Sequence, residues 1–328
     1  MYISVALCTY NGEKFIKKQL DSILNQTLKV NEIVICDDKS SDSTLAILEK
    51  YKADYPNIFK IFINESNLKS NKNFEKALSL TSGDYIFFSD QDDLWRLDKV
   101  DKIIRVFEKN KNIEGVFSNA NLIDENDLIL SKPITLWDTV GFFEQKLTTP
   151  VNYLKYLMIE GNFVTGATIC ISKNVKDFCL PFDTNEKNFF HDYWIALLLA
   201  ERNSLTCINE NLISYRIHIN QQIGVGNISE RIEKHNNKSK NYNLILGYFN
   251  PKTFKEFKFI TNFIYEKYIY HKNNPDQFYS LDINKRKEEN LFKLYNEAKK
   301  NMISNKPIIY FIKNTKNKIK NWIRIHKN

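Results

Sequence analysis

Cysteine is scarce in this 328-residue chain: there are five, and no two stand in a C-x-x-C spacing. Four of them lie in or beside apolar runs, so reduced core thiols of a cytoplasmic protein are expected. Neither a disulfide framework nor a thiolate metal cage fits that pattern. Nine glycines and seven prolines are too few for a fibrous or low-complexity protein. Long hydrophobic runs are missing as well. Ile195–Ala200 is among the longest and falls far short of the roughly twenty residues that a membrane-spanning helix needs. The opening Met1–Cys8 carries no basic leader and reads as a buried strand, so a signal peptide is not expected there. No G-x-G-x-x-G opens the first helical segment and no P-loop pattern occurs, which argues against a dinucleotide oxidoreductase and a P-loop enzyme.

Negative charge is absent from the last stretch. Residues 306–328 hold Lys306, Lys313, Lys316, Lys318, Lys320, Arg324 and Lys327 and no acid. They account for most of the formal net charge of +8 and leave the rest of the chain close to neutral. A basic footprint confined to one end is a poor match for a nucleic-acid-binding protein, and no nucleic-acid partner is expected. In the same stretch Ile308, Ile312, Thr315, Ile319 and Trp322 recur at three- and four-residue steps between the lysines. That spacing predicts a basic amphipathic helix suited to an anionic membrane surface, or else a solvated helix packed on the core.

What is present is a strand–helix rhythm. With 43% hydrophobic and 13% aromatic residues the chain can build a substantial core. Strands are expected at Tyr2–Leu7, Glu32–Cys36, Phe59–Ile63, Asp84–Phe88 and Gly115–Ser118. Helices are expected at Glu13–Asn25, Asp42–Tyr55, Asn71–Leu80 and Lys99–Lys109, the second announced by Ser41-Asp42-Ser43-Thr44. Such alternation predicts an α/β fold with a mostly parallel sheet flanked by helices, its loops gathered along one edge. Beyond residue 120 the rhythm changes. Asn121–Pro150 is irregular and could pass over the sheet edge as a flap; Thr168–Ser172 and Leu205–Ile213 read as strands, and His191–Arg202 as a helix. A domain boundary is expected at Gln222–Ile228, dividing residues 1–225 from a helical, basic region 226–328.

The most informative segment is Phe87-Phe88-Ser89-Asp90-Gln91-Asp92-Asp93-Leu94-Trp95. An apolar strand runs into three carboxylates within four residues. Carboxylates so placed repel unless a cation lies between them, and Mg²⁺ or Mn²⁺ carrying phosphate oxygens is the natural candidate. The plainer alternative is that Asp92 or Asp93 caps the next helix. Three more loops fall on the same expected edge. Thr9-Tyr10-Asn11-Gly12 suits a base or ribose, Asp38 can accept from a base N–H or a ribose hydroxyl, and His191-Asp192-Tyr193-Trp194 opens a helix. Each taken alone is better explained as a core or capping residue; their conjunction is not.

The run from T-Y-N-G through D-D-K-S-S-D-S-T, N-L-K-S-N-K-N-F-E-K-A-L and S-G-D-Y-I-F-F-S-D-Q-D-D-L-W to H-D-Y-W and Y-R-I-H resembles the family 2 glycosyltransferases. It covers about residues 1–225 and is most similar to the rhamnosyltransferase-like branch that serves bacterial surface polysaccharides. The resemblance implies a GT-A fold and metal-dependent, inverting transfer from a nucleotide sugar, dTDP-rhamnose or a UDP-hexose, to a hydroxyl of a lipid-linked or growing polysaccharide. It implies that Asp92 and His218 hold Mn²⁺ or Mg²⁺, that Asp90 serves the ribose or the metal, and that Asp192 is the general base. Thr9, Tyr10, Asn11, Asp38, Lys69, Gln91 and Gly166 are then expected around the nucleotide sugar and His191 at the acceptor, where Trp95 and Trp194 offer apolar faces for a sugar ring or else belong to the core. Lys69 stands where the related pattern carries glycine, which draws attention to its backbone and brings a cation near the nucleotide. Arg216 is expected either on a phosphate or in a structural ion pair. The implied location is the inner face of the cell membrane, held by the basic tail. The nearest alternative is a sugar-nucleotide-binding or nucleotidyltransferase protein built on the same sheet.

Overall fold

The computed structural model describes residues 1–130, 134–142, 153–183, 190–218, 221, 254–274 and 281–305. These residues fall into two compact units. The boundary expected at Gln222–Ile228 and the basic segment 306–328 lie outside the described residues.

The first unit opens with β1 (Ile3–Thr9), α1 (Ile16–Leu24), β2 (Glu32–Asp37), α2 (Thr44–Asp54), β3 (Phe59–Ile63), α3 (Lys69–Leu80) and β4 (Tyr85–Ser89). All seven fall within three residues of their expected bounds. Every residue of β2 and nearly every residue of β1 is buried, as in strands covered on both faces by crossover helices. Helix α1 turns Ile16, Gln19, Leu20 and Ile23 inward at three- and four-residue steps. The start signal before α2 works as read: the Thr44 amide donates to Asp42 Oδ1 at 3.0 Å.

The chain continues through β5 (Leu94–Trp95), α4 (Lys99–Lys109), β6 (Gly115–Ile123), α5 (Leu136–Val140), α6 (Tyr153–Glu160), β7 (Ile169–Ser172), α7 (Lys173–Cys179), α8 (His191–Glu201) and β8 (Leu205–Arg216). One eight-stranded sheet results, in the order β3-β2-β1-β4-β7-β6-β8-β5. Strands β3, β2, β1 and β4 are mutually parallel, as are β6 and β8. The departure from the parallel expectation is β7, which runs antiparallel between β4 and β6, with Cys170 opposite both Phe87 and Val116. Strand β5 is antiparallel to β8 as well. Strand β6 extends to Ile123, so the irregular segment expected from Asn121 begins later, and its residues 131–133 and 143–150 lie outside the described residues.

This topology decides where the loops go. Strands β1, β2, β4, β6 and β8 all end at one edge, whereas the antiparallel β7 begins there, preceded by a 3-10 turn at Gly166–Thr168. The crevice beyond that edge is where open α/β sheets bind ligands.

Two expected acceptor platforms are corrected here. Trp95 is 4% exposed, its ring against Phe87 and the Lys99 ammonium. Trp194 is 7% exposed and its indole N–H donates to the Cys179 carbonyl at 2.8 Å. Both are core residues, because α8 is buried almost all round and β5 is tucked against β8. All five cysteines are free, with Cys36, Cys170 and Cys179 buried.

In the second unit α9 (Phe254–Asn273) and α10 (Leu281–Asn305) pair through Tyr265 on Tyr295 and Tyr268 on Phe292, with ring centroids 5.0 and 5.3 Å apart. Among the described residues no helix is long and apolar enough to cross a membrane.

Candidate active site

A cleft of about 470 Å³ opens at the loop edge of the sheet in the first unit. Of the sequence-derived site residues, Thr9, Tyr10, Asn11, Asp38, Asp90, Gln91, Asp92, Gly166, His191, Asp192 and His218 all line it. Lys69, Trp95 and Trp194 do not.

The β1 and β2 loops are stitched to each other. Thr9 Oγ1 donates to Asp37 Oδ2 at 2.7 Å, the Asn11 amide donates to Ser40 Oγ and the Ser41 amide donates to Asn11 Oδ1, both at 2.8 Å. Asn11 and Lys39 adopt positive φ, +48° and +66°, which turns both loops tightly. Gln91 clamps the β4 loop to the β1 loop, accepting from the Tyr10 amide at 2.8 Å and donating to the Tyr10 carbonyl at 3.0 Å. A Cβ on Gly12 would come within 2.3 Å of Gln91 Oε1. Gly12→Ala should therefore displace the Gln91 amide and break the clamp, whose bonds are solvent-exposed, at a cost of about 0.5–1.5 kcal/mol. The expected signs are a lowered Tm and a raised donor KM; an unchanged pair of values would contradict it.

Asp38 lies 2% exposed on the cleft wall, and its carboxylate is engaged. Oδ1 accepts from the Leu68 amide at 2.6 Å and from Asn64 Nδ2 at 2.8 Å, while Oδ2 accepts from the Lys69 amide at 2.9 Å. Lys69 itself has φ +65°, the left-handed region natural to the glycine it replaces. Its exposed side chain sits outside the cleft lining, and the Asp38 contacts hold its backbone in place.

The acidic turn is organised from below by Arg216. This guanidinium has no solvent exposure; Nε donates to the Asp92 carbonyl at 2.6 Å, Nη1 donates to the Asp124 carbonyl at 2.7 Å, and Nη2 lies 2.6 Å from Asp127. Of the two expectations for Arg216, the structural ion pair is the observed one. His218 Nε2 lies 2.8 Å from Asp92 Oδ2, with the imidazole packed on Phe15. Burial first, then the charges of Asp92 and Asp192, pushes Asp90 up to about 7. Asp93 is pushed well above the carboxylate range by burial and by Asp92 and Asp90. Acids so destabilised as anions have too little positive charge around them.

Among the described residues no cluster of three or more His, Cys, Asp or Glu forms a metal cage. The Asp92–His218 pair nevertheless suits one face of a divalent ion. Its 2.8 Å separation approaches the roughly 3 Å between neighbouring ligands of an octahedral ion with bonds of about 2.1 Å. Carboxylate oxygen and imidazole nitrogen are donors Mn²⁺ accepts, and two protein ligands leave positions open for phosphate oxygens.

Across the cleft, α8 presents His191 and Asp192 from its first turn. Asp192 Oδ1 accepts from the Tyr193 amide at 2.6 Å and from Asn162 Nδ2 at 3.0 Å, and Oδ2 accepts from the Gly166 amide at 3.0 Å. Burial raises its pKa to about 6 against these hydrogen bonds. It remains largely ionised at neutral pH and is a stronger base than an ordinary carboxylate. His191 is stacked on Phe74, centroids 4.2 Å apart, and burial lowers its pKa to about 3. Neither ring nitrogen of this neutral, 5% exposed imidazole has a hydrogen-bond partner. The ring forms part of the cleft wall. The sequence reading missed Asn162 and the buried Lys99, and no motif flags either one.

Sheet and cleft together define a nucleotide-sugar transferase scaffold of the GT-A type. Residues 4–159 match the profile described as Glycosyl transferase family 2. Over 233 residues the chain is 33% identical to the dTDP-rhamnosyl transferase RfbG of Shigella flexneri, covering 68% of this chain and 75% of that one. It is 28% identical over 222 residues to the Escherichia coli UDP-Glc:alpha-D-GlcNAc-diphosphoundecaprenol beta-1,3-glucosyltransferase WfgD, covering 67% and 78%. The solved structure of S. aureus TarS 1–349 in complex with UDP-GlcNAc superposes with a TM-score of 0.55 at 16% identity, covering 92% of each chain, a likeness of fold. The chain belongs to glycosyltransferase family 2.

Proposed function

We propose that this glycosyltransferase is metal-dependent and inverting, and that it moves a sugar from dTDP-rhamnose or a UDP-hexose to a hydroxyl of a lipid-linked or growing surface polysaccharide. The observation that carries the reading is the charge of the cleft. Asp38, Asp90, Asp92, Glu125 and Asp192 line it, against Lys14 as the one lysine or arginine among the described lining residues. Lys14 is itself ion-paired with Glu125. A diphosphate entering such a cleft needs a cation to offset the acids. A divalent ion held by Asp92 and His218 would neutralise the charge that grows on the departing diphosphate. The chain's own residues then have plain tasks. Asp192 takes the acceptor proton as the new C–O bond forms and the bond to the diphosphate breaks, its electrons leaving with the diphosphate. The Asp38 side and the Thr9–Gly12 loop hold the nucleoside, and His191 offers a neutral hydrogen-bonding edge to a sugar hydroxyl.

The identity to RfbG favours dTDP-rhamnose among the donors, and the name of WfgD favours an acceptor on a polyprenyl diphosphate. Such an acceptor suits an enzyme held at the inner membrane face by the basic segment 306–328. Deleting that segment should release the protein from anionic vesicles; unchanged flotation would contradict the attachment.

Thermal unfolding with dTDP-rhamnose and UDP-hexoses, with and without Mn²⁺, tests the central reading. A donor at a hundredfold excess over its Kd adds about 2.7 kcal/mol of stability, a rise of roughly 5–10 °C for a unit of this size. No shift with any nucleotide sugar would sink it.

A further inference from the structure

Lys99, the first residue of α4, has no solvent exposure. Its ammonium donates to the Ala167 carbonyl at 2.8 Å and sits 3.8 Å from the Trp95 ring centroid and 5.9 Å from that of Phe87. One hydrogen bond and two aromatic faces are slender compensation for a buried ammonium, whose desolvation costs several kcal/mol. The rest comes from the acidic turn. Burial drags Lys99 down to about 7, and the charges of Asp93, Cys170 and Asp90 pull the other way. Asp93 shows the reverse effect: burial and the neighbouring acids raise it, and Lys99 is among the groups that lower it. Asp93 is fully buried, and its Oδ2 has no hydrogen-bond partner. Lys99 does not line the cleft and cannot touch a substrate there.

The carbonyl that Lys99 holds belongs to the 3-10 turn Gly166–Thr168. The same turn supplies the Gly166 amide that donates to Asp192 Oδ2 at 3.0 Å. It also has little room to move, since a Cβ on Gly166 would come within 2.7 Å of His191 Nε2. A single buried side chain thus holds the turn that supports Asp192.

We propose that Lys99 is a positioning residue for the transfer: through the Ala167 carbonyl its ammonium fixes the turn whose Gly166 amide orients Asp192. This rests on the reading of Asp192 as the base. Lys99→Met keeps the volume and removes the donor. Asp192 then loses its support. Donor binding to the folded variant, followed by calorimetry with Mn²⁺ present, should stay within about threefold of wild type. Turnover should fall, kcat dropping about ten- to a hundredfold with donor KM held within about threefold. Generalised loosening would weaken both.

Should Lys99→Met alone leave Asp93 too costly to fold, the double variant Lys99→Met/Asp93→Asn removes both charges. It should fold, bind the donor as wild type does, and keep the kcat defect, because the Ala167 contact is still gone. Unchanged kcat in a folded variant, donor binding lost along with turnover, or a double variant that fails to fold would each overturn the proposal. If the wild type transfers sugar but Lys99→Met matches it, the positioning role alone falls. An Asp192→Asn enzyme with full activity removes the base reading and the inference with it.

Discussion

Replacing Asp192 by asparagine should lower kcat by about 10²–10⁴-fold, the usual contribution of a general base, while donor binding changes little. The side chain lies in the first turn of α8, where the Gly166 and Tyr193 amides and Asn162 hold its two oxygens. Asparagine fits that pocket in size but cannot take a proton. The pH dependence carries the same signature. Burial lifts Asp192 from an ordinary 3.8 to about 6. Transfer should therefore rise with pH through a midpoint near 6, and the variant should lose that limb. Stability moves the other way. The folded-state pKa lies above the unfolded value, so this group's contribution is fully present below about pH 4 and is lost as pH rises through 6. The charged base therefore costs on the order of 3 kcal/mol at neutral pH. Product formation followed over pH 5–8 in wild type and variant decides the matter; a variant retaining more than about a tenth of the activity would defeat the assignment.

Chelation of the divalent ion should be nearly as damaging, with a loss of about 10²–10³-fold that added Mn²⁺ reverses. Asp92→Ala should reproduce the loss and resist the rescue. The acids lining the cleft cannot receive a diphosphate unaided, and the cations nearby are committed elsewhere. Arg216 is enclosed and tied to the Asp92 and Asp124 carbonyls and to Asp127. Lys14 is paired with Glu125. The Asp92 side chain can be removed without disturbing the Arg216 contact, because that contact is to the backbone carbonyl. Nucleotide binding by calorimetry, with and without Mn²⁺, separates weakened binding from slowed chemistry. Full activity in excess chelator would refute metal dependence.

Much of the site was visible along the chain because parallel strands deliver their following loops to one edge. Once β1, β2 and β4 are read as parallel, Thr9–Asn11, Asp38 and Asp90–Asp92 must be neighbours. Reading Trp95 and Trp194 as acceptor platforms failed for a local reason. An aromatic beside a motif looks the same in sequence whether it faces the cleft or the core, and burial on both sides of α8 placed Trp194 inward. Lys69 likewise stood out as a departure from a glycine pattern. Its positive φ is local and agrees with that signal, but the outward direction of its side chain was not legible.

The alternation of β1 to β4, the start of α2 and the family can be read along the chain, because apolar periodicity and short polar signals act over a few residues. Folding settled what depends on contacts between distant segments. It inserted β7 antiparallel between β4 and β6, so that Gly166 arrives at the loop edge to hold Asp192. It enclosed Arg216 beneath the acidic turn and brought His218 to Asp92 from the end of β8. It also buried Lys99 against Ala167 and the Trp95 ring. Desolvation gives these groups their altered proton affinities, and it exists only once the distant segments have closed around them.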